Sequence, residues 1–384
     1  MDGIVILFLV VFGYFFMYQF KNKISENNFT NLGYLYVYHL LFGCYFFFFI
    51  EGDAIGYWRS AKTLTYDEFY HFFTDDQGTY FIFALNYLPS KVLDLSYFTG
   101  TMIYSLIGLI GFTYFYLIAI ELVPKNPNIN GYYLFPLLFF FPNLHFWSCA
   151  IGKDAILFFC IGIFSYGLLL PSKRLYMIIM GLFISYFVRP HITLFMLIGF
   201  GVAYFSGKKI SISKRLFFFS SMIGIAIVLL PLVLKFAKIE EVSLDSLDKF
   251  STNKALLLSR SHTNSSIDIS SYPLPIKIFT FLFRPFFFDI NSIPSFLASI
   301  ENSILLLLTF KYFSNKPLDS FRNAPFILQG MVYFLLIGTF VFSQSLGNLG
   351  IMIRMRNMFL PGLLIFFLWH FSYIKNDSNI DKGE

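Results

Sequence analysis

Residues 101–123 read TMIYSLIGLIGFTYFYLIAIELV, an apolar run interrupted by a single charge at Glu121. Coiled as a helix rising about 1.5 Å per residue, such a run reaches across a hydrocarbon core of roughly 30 Å. Comparable runs recur along almost the whole chain, at approximately 4–20, 32–50, 132–149, 155–170, 175–188, 191–206, 216–234, 293–310, 325–343 and 355–373. Only helices and closed barrels satisfy their backbone polar groups inside lipid. The pattern therefore predicts an all-α, polytopic transmembrane bundle of about eleven spans, forming a single multi-pass domain over residues 1–384.

Composition agrees. Hydrophobic residues make up 57% of the chain, aromatic residues 22% and charged residues 13%, well outside the soluble norm of about 25% charged. The 55 Phe are spread through every apolar run, as lipid-facing side chains would be. Cys44, Cys149 and Cys160 are isolated and lack the C-x-x-C or His spacing of a metal or redox site, so no metal is expected. The run at 4–20 is followed by Lys21 and Lys23 and lacks a small-residue cleavage site, which reads as a retained span. A net charge of +6 is ordinary for cytoplasmic basic loops, and no face resembles a nucleic-acid-binding surface. There is no G-x-x-x-x-G-K-[ST] phosphate loop, so no nucleotide cofactor is expected. No internal repeat points to inverted transporter halves.

Lys173, Arg174, Lys208, Lys209, Lys214, Arg215, Lys311, Lys316 and Arg322 fall in short connections that alternation places on one side. The positive-inside rule makes that side cytoplasmic, with the N-terminus outside and the C-terminus inside. The two long connections, 51–100 and 235–292, then lie outside. Each contains an apolar stretch too short to cross, 79–88 and 278–290, expected to be re-entrant or interfacial.

Costly groups gather on that outer side. Glu51-Gly52-Asp53 opens the first long connection, followed by Tyr57, Trp58 and Arg59. A carboxylate at the water–lipid boundary can serve as a general base toward a sugar hydroxyl, although a solvated acid in an aromatic belt reads the same way. Gly152-Lys153-Asp154 follows Phe146-Trp147-Ser148 in a connection so short that both charges sit at or below the interface. Asp154 would also suit a plain helix start. Arg189-Pro190-His191 forms an entire outer turn; Arg can grip a phosphate by two prongs and His191 can move a proton, while an interfacial anchor is the competing reading. Arg284-Pro285 repeats the theme in Phe283-Arg284-Pro285-Phe286-Phe287-Phe288-Asp289, with Glu301 as the expected partner of Arg284. Gly347-Asn348 precedes Arg354 and Arg356, which point to different sides of a helix. Ser261-His262-Thr263-Asn264-Ser265-Ser266 offers hydroxyl and amide donors for glycans, or simply a solvated loop.

Taken together, Gly52-Asp53-Ala54, Gly152-Lys153-Asp154, Arg189-Pro190-His191, Arg284-Pro285 and Gly347-Asn348 with Arg354 and Arg356 resemble bacterial GT-C-type integral membrane glycosyltransferases, in particular the O-antigen and capsular oligosaccharide repeat-unit polymerases (Wzy-like). The resemblance implies polymerisation of polyprenyl-pyrophosphate-linked oligosaccharides at the outer face of the inner membrane. It implies Asp53, Asp154 or His191 as proton-transfer groups and Lys153, Arg189, Arg284, Arg354 and Arg356 on pyrophosphate, with a chain-length regulator and a flippase as partners. Two alternatives share the pattern: a transferase using a polyprenyl-monophosphate monosaccharide, and a lipid-linked-glycan flippase. A flippase should carry polar groups through the bilayer midplane, where this sequence has few.

Overall fold

The computed structural model describes residues 1–129, 131–206, 211–237, 244–259 and 265–380. Helices account for about 81% of it, which makes the fold all-α. Among the described residues the one strand pair is a minimal antiparallel ladder, Asn128–Ile129 against Tyr132–Tyr133.

All but one of the expected apolar runs fold as helices. Among the described residues, five helices are long and apolar enough to cross a membrane by length and composition: Asp2–Lys23, Glu26–Phe49, Tyr97–Leu122, Ile293–Phe313 and Phe326–Ser345. Leu349–Arg356 and Leu360–Lys375 make a sixth if this pair, bent by 59°, counts as one span. Long apolar helices of this kind are consistent with a membrane protein. Lys153–Gly167 and Pro190–Ser206 have 15 and 17 residues and are shorter than those five.

The exception is 132–149. Instead of one helix it forms three pieces, Leu134–Leu137, Leu138–Phe140 and Pro142–Phe146. Pro136 and Pro142 explain the breaks. Each lacks an amide hydrogen and forbids the helical region to the residue before it, and Phe135 (ψ 130°) and Phe141 (ψ 119°) adopt non-helical backbone accordingly.

The long connections are also built. Residues 51–100 hold helices Asp53–Thr63, Tyr66–Thr74 and Thr79–Asn86, followed by a wider turn over Tyr87–Val92. Helix Tyr66–Thr74 starts on a reciprocal cap: Glu68 N–H donates to Thr65 Oγ1 (3.2 Å) and Thr65 N–H to Glu68 Oε2 (2.7 Å). The second connection holds Leu244–Ser259, Leu274–Phe283 and a short turn Phe287–Asp289.

The chain divides into two compact units, each assembled from separate stretches: Met1–Glu121 with Leu144–Thr193, and Leu122–Asn143 with Leu194–Glu384. In the first, helices Tyr97–Leu122 and Lys153–Gly167 meet at glycines. A Cβ on Gly111 would lie 2.6 Å from Phe159 Cα, and one on Gly162 would lie 2.6 Å from the Gly111 carbonyl oxygen. Helices approach this closely in lipid because little but van der Waals packing holds them together there. In the second unit, helix Leu274–Phe283 packs against Phe326–Ser345, Ile293–Phe313 and Leu349–Arg356.

Candidate functional site

In the first unit, two helix junctions bring three of the anticipated residues into contact with partners. Helix Pro171–Val188 stops at Arg189, whose backbone is extended (φ −153°, ψ 93°) as the residue before a proline must be. Pro190 then starts the next helix, a position where its missing amide hydrogen costs nothing. The junction is pinned by Ser185 Oγ against Thr193 Oγ1 at 2.7 Å. It is also tied to the first long connection, where Gly78 N–H donates to the Phe187 carbonyl (2.8 Å) and Gln77 Nε2 to the Tyr186 hydroxyl (2.8 Å).

The second junction is the start of helix Lys153–Gly167. Gly152 precedes it at φ +151°, in the region glycine favours, and a Cβ there would stand 3.2 Å from Cε2 of Tyr57. That geometry aims Lys153 Nζ at Thr79 Oγ1, 2.8 Å away. Asp154 turns the other way and pairs with Arg189, Nη1 to Oδ1 at 3.1 Å, with 9% and 8% of their side chains exposed. His191 is half-buried one residue past the proline, and Asp53 is exposed at the first turn of its own helix.

The second unit holds Arg284, Arg354 and Arg356. The expected pairing of Arg284 with Glu301 is corrected. Arg284 closes instead on Asp289, Nε to Oδ2 at 3.0 Å and Nη2 to Oδ1 at 2.5 Å. Asp289 in turn reinforces the Arg284 charge, raising the guanidinium's affinity for its proton. The helix ends at Arg284, whose backbone is extended (ψ 153°), and the short turn Phe287–Asp289 then brings a residue five positions on within reach.

Glu301 is buried and engaged elsewhere. It accepts the Asn143 backbone N–H at 2.8 Å and the Asn143 side-chain amide. Arg356, also buried, braces the carboxyl end of helix Leu274–Phe283. It donates to the carbonyls of Phe281 (3.3 Å) and Leu282, and through Nη2 to Asn302 Oδ1 (2.5 Å). Asn302 Nδ2 completes the brace on the Pro285 carbonyl at 2.8 Å. Arg354 is only half-buried on the same short helix, so the two arginines do diverge.

Asn348 caps that helix, accepting Ile351 N–H and the Ser265 hydroxyl, each at 3.1 Å. Gly347 lies so close to Ala255 that a Cβ would meet its carbonyl oxygen at 2.3 Å. Ser265 and Ser266 thus serve to dock the long connection on this helix start, while Ser261, His262, Thr263 and Asn264 lie outside the described residues.

One polar pair in the first unit escaped the sequence reading. His39, within helix Glu26–Phe49, and His145 meet Nδ1 to Nδ1 at 3.0 Å, both fully buried, with His39 Nε2 3.0 Å from the Ser105 carbonyl oxygen. Since a carbonyl only accepts, His39 Nε2 carries a hydrogen, and a neutral His39 therefore accepts from His145 through Nδ1. The available signal was a lone polar side chain within an apolar run. Asn143 and Asn302 carried a similar signal within the runs 132–149 and 293–310, whereas Thr79 carried none. Among the described residues, no group of three or more His, Cys, Asp or Glu could hold a metal ion.

No protein-family model, curated protein or solved structure matches the chain.

Proposed function

We propose that this chain is a GT-C-type membrane glycosyltransferase that polymerises polyprenyl-pyrophosphate-linked oligosaccharide repeat units at the outer face of a bacterial inner membrane. In this reading the shorter apolar helices also enter the bilayer. The chain then makes about eleven crossings, the broken 132–149 segment included, with the N-terminus outside and the C-terminus in the cytoplasm. A chain-length regulator and a flippase are its partners.

The observation that carries the reading is the buried Asp154–Arg189 pair beside Lys153, at two helix junctions rather than within a helix. A buried ion pair is no better for stability than well-packed apolar residues. Ionisable groups retained at this depth are functional candidates with an anionic ligand as their natural complement.

The chemistry is a displacement at the anomeric carbon. A base removes the acceptor hydroxyl proton, the new glycosidic C–O bond forms, and the bond to pyrophosphate breaks, releasing polyprenyl pyrophosphate. Within the first unit Arg189 and Lys153, or within the second Arg284 with Arg354 or Arg356, would bind the pyrophosphate and the negative charge that grows on it. Asp53, exposed, His191, half-buried, and Asp154, paired with Arg189, are the candidates for taking the proton.

The test is Arg189→Ala and Arg284→Ala in the native host. Normal polymer length and yield from protein still present in the membrane would end the proposal. With purified protein, turnover of a polyprenyl-monophosphate sugar in place of an oligosaccharide pyrophosphate would assign it to the monosaccharide transferases. Movement of the intact lipid-linked glycan without bond formation would assign it to the flippases.

A further inference from the structure

The Arg284 turn presents three hydrogen-bond donors to one point. Arg284 Nη2 reaches Asp289 Oδ1, while Arg284 Nε (3.0 Å) and the Phe286 amide (2.9 Å) both reach Asp289 Oδ2. The Nε and Nη2 edge is the one by which arginine takes a phosphate in two-pronged fashion. The backbone that carries these donors has ties besides Asp289, since Asn302 fastens the Pro285 carbonyl and Arg356 the Phe281 and Leu282 carbonyls. The acceptor is a side chain on the three-residue turn Phe287–Asp289, 8% exposed, and rotation about its own bonds is enough to withdraw it.

We propose that these donors form a phosphoryl cradle in which the Asp289 carboxylate stands in for the phosphate of the unbound ligand, and that ligand binding proceeds by displacing it. A phosphoryl group brings more negative charge and a third acceptor oxygen, so it competes with a single carboxylate for the same donors. The surroundings suit a headgroup attached to a lipid. Phe288, 78% exposed, lies with its ring 5.6 Å from the Arg284 guanidinium carbon, and Phe287 is 56% exposed beside it. This inference rests on Arg284 as a pyrophosphate ligand and adds that its binding edge is internally occupied.

The experiment uses the full chain in phosphatidylcholine nanodiscs, with inorganic pyrophosphate as one probe and farnesyl pyrophosphate in the bilayer as the other. Asp289→Asn is expected to tighten binding at least about tenfold, and Arg284→Gln to abolish it in either background. Tightening with both probes identifies the phosphoryl group as sufficient; tightening with farnesyl pyrophosphate alone identifies a lipid-borne headgroup. Unchanged, weaker or absent binding by Asp289→Asn overturns the cradle, as does binding that survives Arg284→Gln. If Asp289→Asn is not recovered folded, Asp289→Ser, which keeps an acceptor for the Phe286 amide, is judged by the same outcomes. Polymer synthesis unaffected by Arg284→Ala would sink the polymerase reading without bearing on this binding result.

Discussion

Arg189 Nη1 stands 3.1 Å from Asp154 Oδ1, and less than a tenth of either side chain is exposed. Removing one partner strands a buried charge, at a cost of about 3–5 kcal/mol, whereas replacing both by apolar groups is often neutral. Arg189→Met alone should therefore lower thermal stability in detergent far more than Asp154→Leu with Arg189→Met. The double variant should remain folded and make no polymer. Additive losses in this cycle would show that the two residues are not energetically coupled.

Gly152→Ala forces a side chain into backbone at φ +151° and a methyl group 3.2 Å from the Tyr57 ring. The conformational strain alone amounts to about 1–3 kcal/mol. Tyr57→Ala in the same chain should relieve the contact and leave the strain, so partial recovery of folded yield is expected. Full recovery would place the whole effect in the ring contact.

Glu301→Gln exchanges one acceptor of the Asn143 hydrogen bonds for a donor. A buried polar group left unmatched costs about 1–3 kcal/mol. The expected readout is a lower unfolding temperature. Arg356→Lys should act locally instead, because a single ammonium cannot span Phe281, Leu282 and Asn302 together. Hydrogen exchange should accelerate in the last turn of helix Leu274–Phe283, and unchanged rates would remove Arg356 as its brace.

The Thr65–Glu68 cap holds the Glu68 carboxyl below its ordinary value of 4.5, mainly through the Thr65 backbone and hydroxyl donors. A depressed carboxyl stabilises the folded form at higher pH and loses that contribution as pH falls below the ordinary value, through the folded one. Protection factors of the amides in helix Tyr66–Thr74, corrected for the intrinsic pH dependence of exchange, should therefore fall on acidification through that window. Glu68→Gln should flatten the dependence.

Apolar length made most helices readable, since a run such as 101–123 has few other stable forms. The break in 132–149 was also written in the chain, at Pro136 and Pro142, but hydropathy averages over such residues. The candidate arginines were legible as individual costs, and their partners were not. Asp154 and Arg189 come together through the packing of helix Lys153–Gly167 against Pro171–Val188. Arg284 passed over Glu301 for Asp289, which the short turn Phe287–Asp289 brings beside it. The His39–His145 contact joins positions 106 residues apart, which no periodicity reports.

The interleaving of the two units has a consequence for biogenesis. Asn143 is synthesised 158 residues before Glu301. At about 5–20 residues per second, the amide groups of Asn143 wait roughly 8–30 s for their carboxylate while the intervening chain is made. Until Leu194 is made, the segment 122–143 belongs to a unit whose other stretch does not yet exist. The order of translation thus completes the chain of the first unit, at Thr193, before the longer stretch of the second begins.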